Sequence, residues 1–531
     1  MLHLSGRSLV RYLLTGSLAL LSTATLAPVH AARPSLAVTQ PRTGGSITVR
    51  EPGTPDCLDP QKTALGASNA ILGEIVETLL SMDEQGAIRP YLADRYQFSA
   101  AGTVVTFFLH HGIRFSNGDP LDATAVKFTF DRALNPATKS PITAGLLNTV
   151  TRTEVVDPYT VRLVLKQPYR PLLTQLTLTY TGILDPRAAG ATSPDPCKYP
   201  VGSGPFMVQN VGPGFSSVTL VRNPLHTFNP PWARHQGPAY LDRIIWKPIV
   251  SDSTATSDLL AGGTDIDTDM ADTQLGRVQG NHAITLYRIP EQGETFLGFN
   301  QEHAPFNLSS IRKAVAEAID RGSVIKAAAT GLAVPAYSPI PSTLPFYDRA
   351  AATYAPAYDP GAARRLIAAG HATGPYTLLT FNFPEERTEA ELIQAELAEA
   401  GMQVKVATLP LADFLADAGK GQFDLDLLSW GWPDPDFLYQ LFDSAEETAG
   451  GLNFTFAHDP TLDNLIRLGR TTTSVRGAAH VYAQLQRYMD RTVIVDPLLT
   501  DDQVYAVRRT IHGWHTNSAA LPLYQDLYLA Q

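Results

Sequence analysis

Trp430 and Trp432, with Asp434 and Asp436 directly after them, make the densest run of side chains suited to gripping a small polar molecule. Indole rings stack on a ligand while their N–H groups donate, and carboxylates meet a cation. The alternation of Phe423, Leu425 and Leu427 with Asp424 and Asp426 reads as a strand running into Ser429, Trp430, Gly431 and Trp432, so both indoles arrive at a sheet edge. Ligands of open α/β sheets bind beyond the carboxyl ends of strands, which makes this exit a candidate site. Pro433 and Pro435 give the two Asp residues a competing reading as turn formers, and either indole could instead pack inside the core.

Other groupings point to less. Asp265, Asp267, Asp269 and Asp272 have calcium-like spacing, yet the glycine and terminal glutamate of an EF-hand loop are missing, and a strand-end or solvated role is the stronger reading. His110 and His111 are adjacent and on a strand would face opposite ways, so they cannot chelate one ion together. His512 and His515 flank Trp514 and read as structural. Gly202 and Gly204, between Pro200 and Pro205, resemble a phosphate loop only superficially, because no Lys-Ser/Thr and no helical pattern follow. No zinc-hydrolase helix, nucleophile elbow, P-loop or paired cysteine motif occurs in the sequence. Accordingly no catalytic residue, metal ligand or cofactor is assigned, and a secreted hydrolase is the least favoured function.

The elements that must position these groups alternate strand and helix, as in a sheet covered by helices. Strand patterns run over 46–50, 101–109, 160–165 and 403–409, and helical stripes over 69–80 and 122–134. Ser309 caps a predicted helix with Ile311, Val315 and Ile319 on one face and Gly331 as its stop. A further helix is expected from Thr388, with Glu391 completing a capping box and Gly401 ending it.

Arg7 and Arg11 precede an apolar stretch from Tyr12 to Ala27, too short and too rich in hydroxyls to span a bilayer, and 1–31 read as a cleaved secretory leader. No cysteine lies near the cleavage point, so a lipid-anchored form is not expected; 32–45 read as a linker. The formal net charge is −10 and no basic run occurs, which excludes phosphate-tracking contact with nucleic acid as a main activity. Cys57 and Cys197 are the only cysteines, and in an exported chain one bridge between them is the first reading, with two buried free thiols as the alternative. Such a bridge would close a loop of about 140 residues.

A series of short blocks resembles the peptide/nickel class of ABC solute-binding proteins, family 5. They include Pro90-Tyr-Leu-Ala-Asp94, Gly112-Ile-Arg-Phe115, Asn117-Gly-Asp-Pro-Leu121, Pro200-Val-Gly-Ser-Gly-Pro-Phe206, Leu297-Gly-Phe-Asn300, Ser338-Pro-Ile-Pro341 and Leu428-Ser-Trp-Gly431 with Pro433-Asp-Pro-Asp436. The resemblance implies a two-lobed α/β periplasmic-binding-protein fold (type II, cluster C-like). Its first lobe would span 46–294, with an inserted subdomain over about 80–198; the second would span 295–500, and 501–531 would return to the first lobe. The hinge is expected at Phe296, Gly298, Asn300, Asp502 and Tyr505.

The resemblance also implies ligand contacts from the loop holding Thr54, Pro55 and Leu58, and from Tyr180 and Phe383, beside Trp430, Gly431, Trp432, Asp434 and Asp436. Peptide-binding members carry an amine-pairing Asp just after the Trp-Gly; here Trp432 runs directly into Pro433, leaving Asp434 as the substitute. The implied function is a periplasmic receptor, monomeric and without nucleic-acid partners, that delivers a peptide or similar polar molecule to a permease heterodimer in the inner membrane. A receptor or sensor for a metal chelate, haem, opine or sugar is the alternative.

Overall fold

The computed structural model describes residues 41–190, 194–382, 384–447 and 451–530. The leader over 1–31, most of the linker over 32–45, and Phe383 lie outside the described residues.

One 12-stranded mixed sheet runs through both halves of the molecule. From the second-lobe edge its order is Val404–Leu409, Tyr376–Phe381, Leu425–Gly431, Gly293–Phe299, Val495–Arg508, Ile266–Asp267, Ser46–Glu51, Arg243–Pro248, Val218–Arg222 and Phe206–Val211. Ile284–Pro290 and Ala333–Pro335 also pair with Val495–Arg508. Parallel pairing with Ser46 opposite Arg243 places the carboxyl end of the first strand, Arg50 and Glu51, at the centre of the sheet. Its alternation of buried Ile47 and Val49 gives way there to two buried charges. Arg50 is satisfied by Asp252 at 2.7 Å, Asp267 at 3.0 Å and the Asp269 carbonyl at 2.6 Å.

A second sheet, four-stranded and antiparallel, forms the inserted subdomain in the order Ala93–Phe98, Val104–Leu109, Thr160–Leu165, Val150–Asp157. The helix Ala123–Leu134 packs on it, N-capped by Asp122, whose carboxylate accepts from the Thr124 and Ala125 amides. Phe107, Phe115 and Phe130 are wholly buried between them. Cys57 and Cys197 form a disulfide, and the Leu58 amide donates to the Cys197 carbonyl at 2.7 Å, so the loop leaving the first strand is tied to the end of the insertion.

The chain passes between lobes twice. Val495–Arg508 pairs with second-lobe strands through Asp501 and with Ile284–Pro290 from Asp502 onward, while the chain preceding Gly293–Phe299 switches sides between Pro290 and Gly293. The first crossing therefore lies upstream of the expected Phe296, Gly298 and Asn300. Phe296 is buried in a second-lobe cluster, Gly298 lies against Asp426, and Asn300 donates to the Gly421 and Phe423 carbonyls at the far end of its strand. Asp502 does sit at the crossing, paired with Arg288. Tyr505 belongs to the first-lobe core and donates to the Ala520 carbonyl at 2.7 Å.

Three helical readings change. The 69–80 stripe is helical only as Gly66–Leu72, because the carbonyls of Glu74 and Ile75 are claimed by the amides of Phe206 and Gly204. The helix capped at Ser309 is two helices, Ser309–Ala318 and Arg321–Ala328. Asp320 caps the second, and Leu308 rather than Ser309 occupies the first cap. The helix expected from Thr388 begins at Pro384 and runs to Glu399.

Candidate functional site

Two hollows open on either side of the crossing. The first, about 380 Å³, lies in the first lobe beyond the carboxyl end of Ser46–Glu51. The second, about 390 Å³, lies on the second lobe around Trp430, Gly431 and Trp432. Both are of the size that holds small organic molecules. Asp501 lines the second, and Gln503 and Tyr505 line the first. Alternate residues of a strand share a face, so one side of the Val495–Arg508 strand carries the surface of both hollows.

Glu74 marks the first hollow. It follows the Gly66–Leu72 helix among Ile71, Leu72, Ile75 and Val76, all packed into the first-lobe core. Two glycines hold its backbone: a Cβ on Gly202 would lie 2.0 Å, and one on Gly204 2.8 Å, from the Ile75 carbonyl oxygen. The Pro-Val-Gly-Ser-Gly-Pro block thus grips this backbone turn. Glu74 is only 5% exposed, and its Oε2 has no hydrogen-bond partner among the described residues. Burial raises its carboxyl to about 8.

Other residues lining the same cavity also carry a buried, unpartnered polar atom: Asn69 Oδ1, Ser81 Oγ, Trp232 Nε1, Trp246 Nε1 and the Tyr524 hydroxyl. Buried polar groups normally find partners, and so many orphans on one wall are unusual. The Trp246 and Tyr524 rings pack at 5.3 Å, making an aromatic flank. Burial lifts Glu51 to about 7 against the pull of Arg50, and Asp269, solvent-exposed at the cavity mouth yet hemmed in by protein, is raised as well.

On the facing wall, Glu294 pairs in register with Trp430 and is 4% exposed. Its Oε2 and the Trp430 Nε1 are unpartnered, and burial holds its carboxyl well above the usual range. Glu291 and Asp501 flank it, raised to about 7 and about 6, first by the surrounding protein and then by neighbouring carboxylates.

The expected contacts divide. Trp430, Gly431 and Trp432 line the second hollow. Asp434 does not reach it: wholly buried, it pairs with Arg170 at 2.7 Å and accepts from Thr174 at 2.5 Å. Asp436 pairs with Arg470 at 2.6 Å and accepts from the Tyr169 hydroxyl at 2.7 Å. Both carboxylates are consumed by a contact between the insertion and the second lobe, so neither serves as a ligand anchor. In the loop after the first strand, Leu58 is core, Pro55 is buried and Thr54 is exposed away from the hollow; Glu51 and Pro52 line it instead. Tyr180 bonds the Ala64 carbonyl at 3.3 Å, and its neighbours Thr177 and Thr179 face the cavity in its place.

Asp267 is tied to Arg50. His110 packs tilted against Phe228, and His111 stacks separately on Tyr159. His515 bonds Asp526, which His235 also holds, and the two keep that carboxyl far below its ordinary range despite its burial. Among the described residues no three His, Cys, Asp or Glu side chains converge as a metal site, and no helix is long and apolar enough to cross a membrane. Glu74 went unassigned in the sequence, although an acid inside an apolar stripe, shared there only with Glu77, was its visible signal.

A family model described as bacterial extracellular solute-binding proteins, family 5 Middle, matches residues 87–450. The glutathione-binding protein GsiB of Salmonella paratyphi A is 26% identical over 469 residues, covering 86% of this chain and 89% of that protein. Among solved structures, HbpA2 from Haemophilus parasuis superposes with a TM-score of 0.82 at 21% identity, covering 92% of this chain and all of that one. The periplasmic binding protein DppA from Helicobacter pylori, in complex with the peptide STSA, gives 0.69 at 24% identity over 93% and 99% of the two chains.

Proposed function

Since this chain belongs to the bacterial extracellular solute-binding proteins, family 5, and is a solute-binding receptor of the ABC-importer type, we propose that it captures a peptide or similar polar small molecule between its lobes. The observation that carries this reading is the pair of hollows sharing one face of the Val495–Arg508 strand. A rotation about the crossings at 290–293 and 499–502 would bring Trp430 and Trp432 toward Trp246 and Tyr524. A ligand touching both walls has differential affinity for the closed state and shifts the population toward it.

Glutathione and STSA, the ligands named for two relatives, are peptides, which supports a peptide-like solute here. In this reading Asp434 is no amine anchor. The receptor works in the periplasm as a monomer and hands its ligand to an inner-membrane permease pair. The net charge of −10 argues against nucleic acid as a partner.

Native mass spectrometry of protein purified from the periplasm, coupled to small-angle scattering before and after ligand removal, tests the reading. A retained peptide whose removal expands the molecule is the expected result. A retained discrete non-peptide mass would overturn the ligand class, and ligand binding without any compaction would overturn the closure.

A further inference from the structure

We propose that the first-lobe cavity is a recognition site for an organic cation, an ammonium or guanidinium group that pairs with the Glu74 carboxylate while an acceptor on the same ligand takes the indole N–H groups of Trp232 and Trp246. This rests on the receptor reading and names the chemistry that the site selects.

Three observations carry it. Glu51, Glu74 and Asp269 line the cavity, and among the described residues no Lys, Arg or His does, so the charge this lining can carry has one sign. Glu74 is 95% buried with an oxygen left unpartnered, so its ionised form is costly unless a cation arrives. Trp246 and Tyr524 supply aromatic faces for that cation, and the unpartnered indole N–H groups call for carbonyl or carboxylate oxygens beside it. The carboxylates are not grouped as a metal site, which favours an organic cation over a metal ion.

A proton count follows from the same geometry. With its carboxyl at about 8, Glu74 holds a proton at neutral pH in the unliganded protein, and a bound cation ionises it. Glu51 on the first strand and Asp269 at the mouth are raised too and act in the same direction. Tyr91, Tyr505 and Tyr524, packed around the same wall, stay neutral because burial raises each of them. Cation affinity therefore rises with pH up to about 8, with proton release below it.

Titration calorimetry with four probes tests this: N-acetyl-Ala-norleucine-Ala amide, which carries no cation; N-acetyl-Ala-Lys-Ala amide; Ala-norleucine-Ala amide; and cadaverine. The last three place the cation on a side chain, at an amino terminus, or on a free diamine. At least one should bind tenfold or more tighter than the uncharged probe, and which one identifies the source. At pH 7 that binding should release a proton, read in wild type as a dependence of the heat on buffer ionisation. Glu74→Gln should remove both preference and release. Equal binding of all four probes, or a preference that survives Glu74→Gln, overturns the inference while the receptor reading stands. If no probe binds wild type and periplasm-purified protein carries no ligand, the receptor reading falls together with it.

Discussion

Arg170 and Glu74 are buried to almost the same degree, yet their surroundings treat charge in opposite ways. Around Arg170 the protein supplies both signs. Its guanidinium pairs with Asp434, bonds the Tyr482 hydroxyl at 3.3 Å and lies over the Phe346 ring, while the neighbouring Arg470 takes Asp436. Burial pulls the Arg170 pKa down, and Asp434 more than restores it. Around Glu74 the cavity lining holds acids and, among the described residues, no Lys, Arg or His, and burial sets its state. A buried charge whose partner is built into the chain belongs to the architecture. One whose partner is left out is kept for something that arrives.

The sharpest way to break this contrast is to remove Arg170. Arg170→Ala strands Asp434 without its cation and should cost about 3–5 kcal/mol in urea unfolding. Glu74→Gln should do the reverse. The folded-state pKa of Glu74 is raised from 4.5 to about 8, so its contribution is fully present below pH 4.5 and is lost as pH rises through 8. In ligand-free protein the variant should match wild type near pH 4 and exceed it by about 4 kcal/mol at pH 8; a destabilised variant at pH 8 would show that Glu74 has a partner after all.

Replacing both members of the other pair, as Arg170→Met with Asp434→Leu, should bring stability back to within about 2 kcal/mol of wild type. A double variant as weak as the single one would mean that the lobes need the ion pair itself. The smallest effect separates two tyrosines. Tyr505→Phe loses a bond to the Ala520 carbonyl and should cost about 1 kcal/mol, whereas Tyr524→Phe removes an unpartnered hydroxyl and should change stability by less than about 0.5 kcal/mol.

The indoles were legible because their signal is local: a strand alternation ending in Trp-Gly-Trp places them at the carboxyl end of that strand in any sheet that accepts it. Asp434 looked equally available, and only its partner, 264 residues upstream, decides otherwise. The cavity around Glu74 is hidden for the same reason, since its walls come from 51–91, 177–179, 230–232, Trp246, 268–269 and 503–525, segments that no local pattern associates. Likewise Leu297-Gly-Phe-Asn300 is a recognisable block, but the place where the chain changes lobes is defined by the partner strand, where pairing passes from Pro290 with Asp502 to Thr295 with Leu499. Spacing identified the strands, and pairing placed the crossing.

The long return strand also bears on how the molecule is assembled. Ser46–Glu51 is made early, but its sheet neighbour Ile266–Asp267 needs Ala506 and Val507 on its other side, and the wall around Glu74 needs Tyr505 and Tyr524. The second lobe draws nearly all its strands from one uninterrupted stretch, 293–499, and can fold as soon as that stretch is available. Distant strand pairing is slow because the intervening chain must first be ordered. Pulse-labelled hydrogen exchange should therefore find amides of 376–381 and 425–431 protected before those of 46–51, so that the segment synthesised first becomes native last, and the cavity forms only when the final stretch of chain arrives.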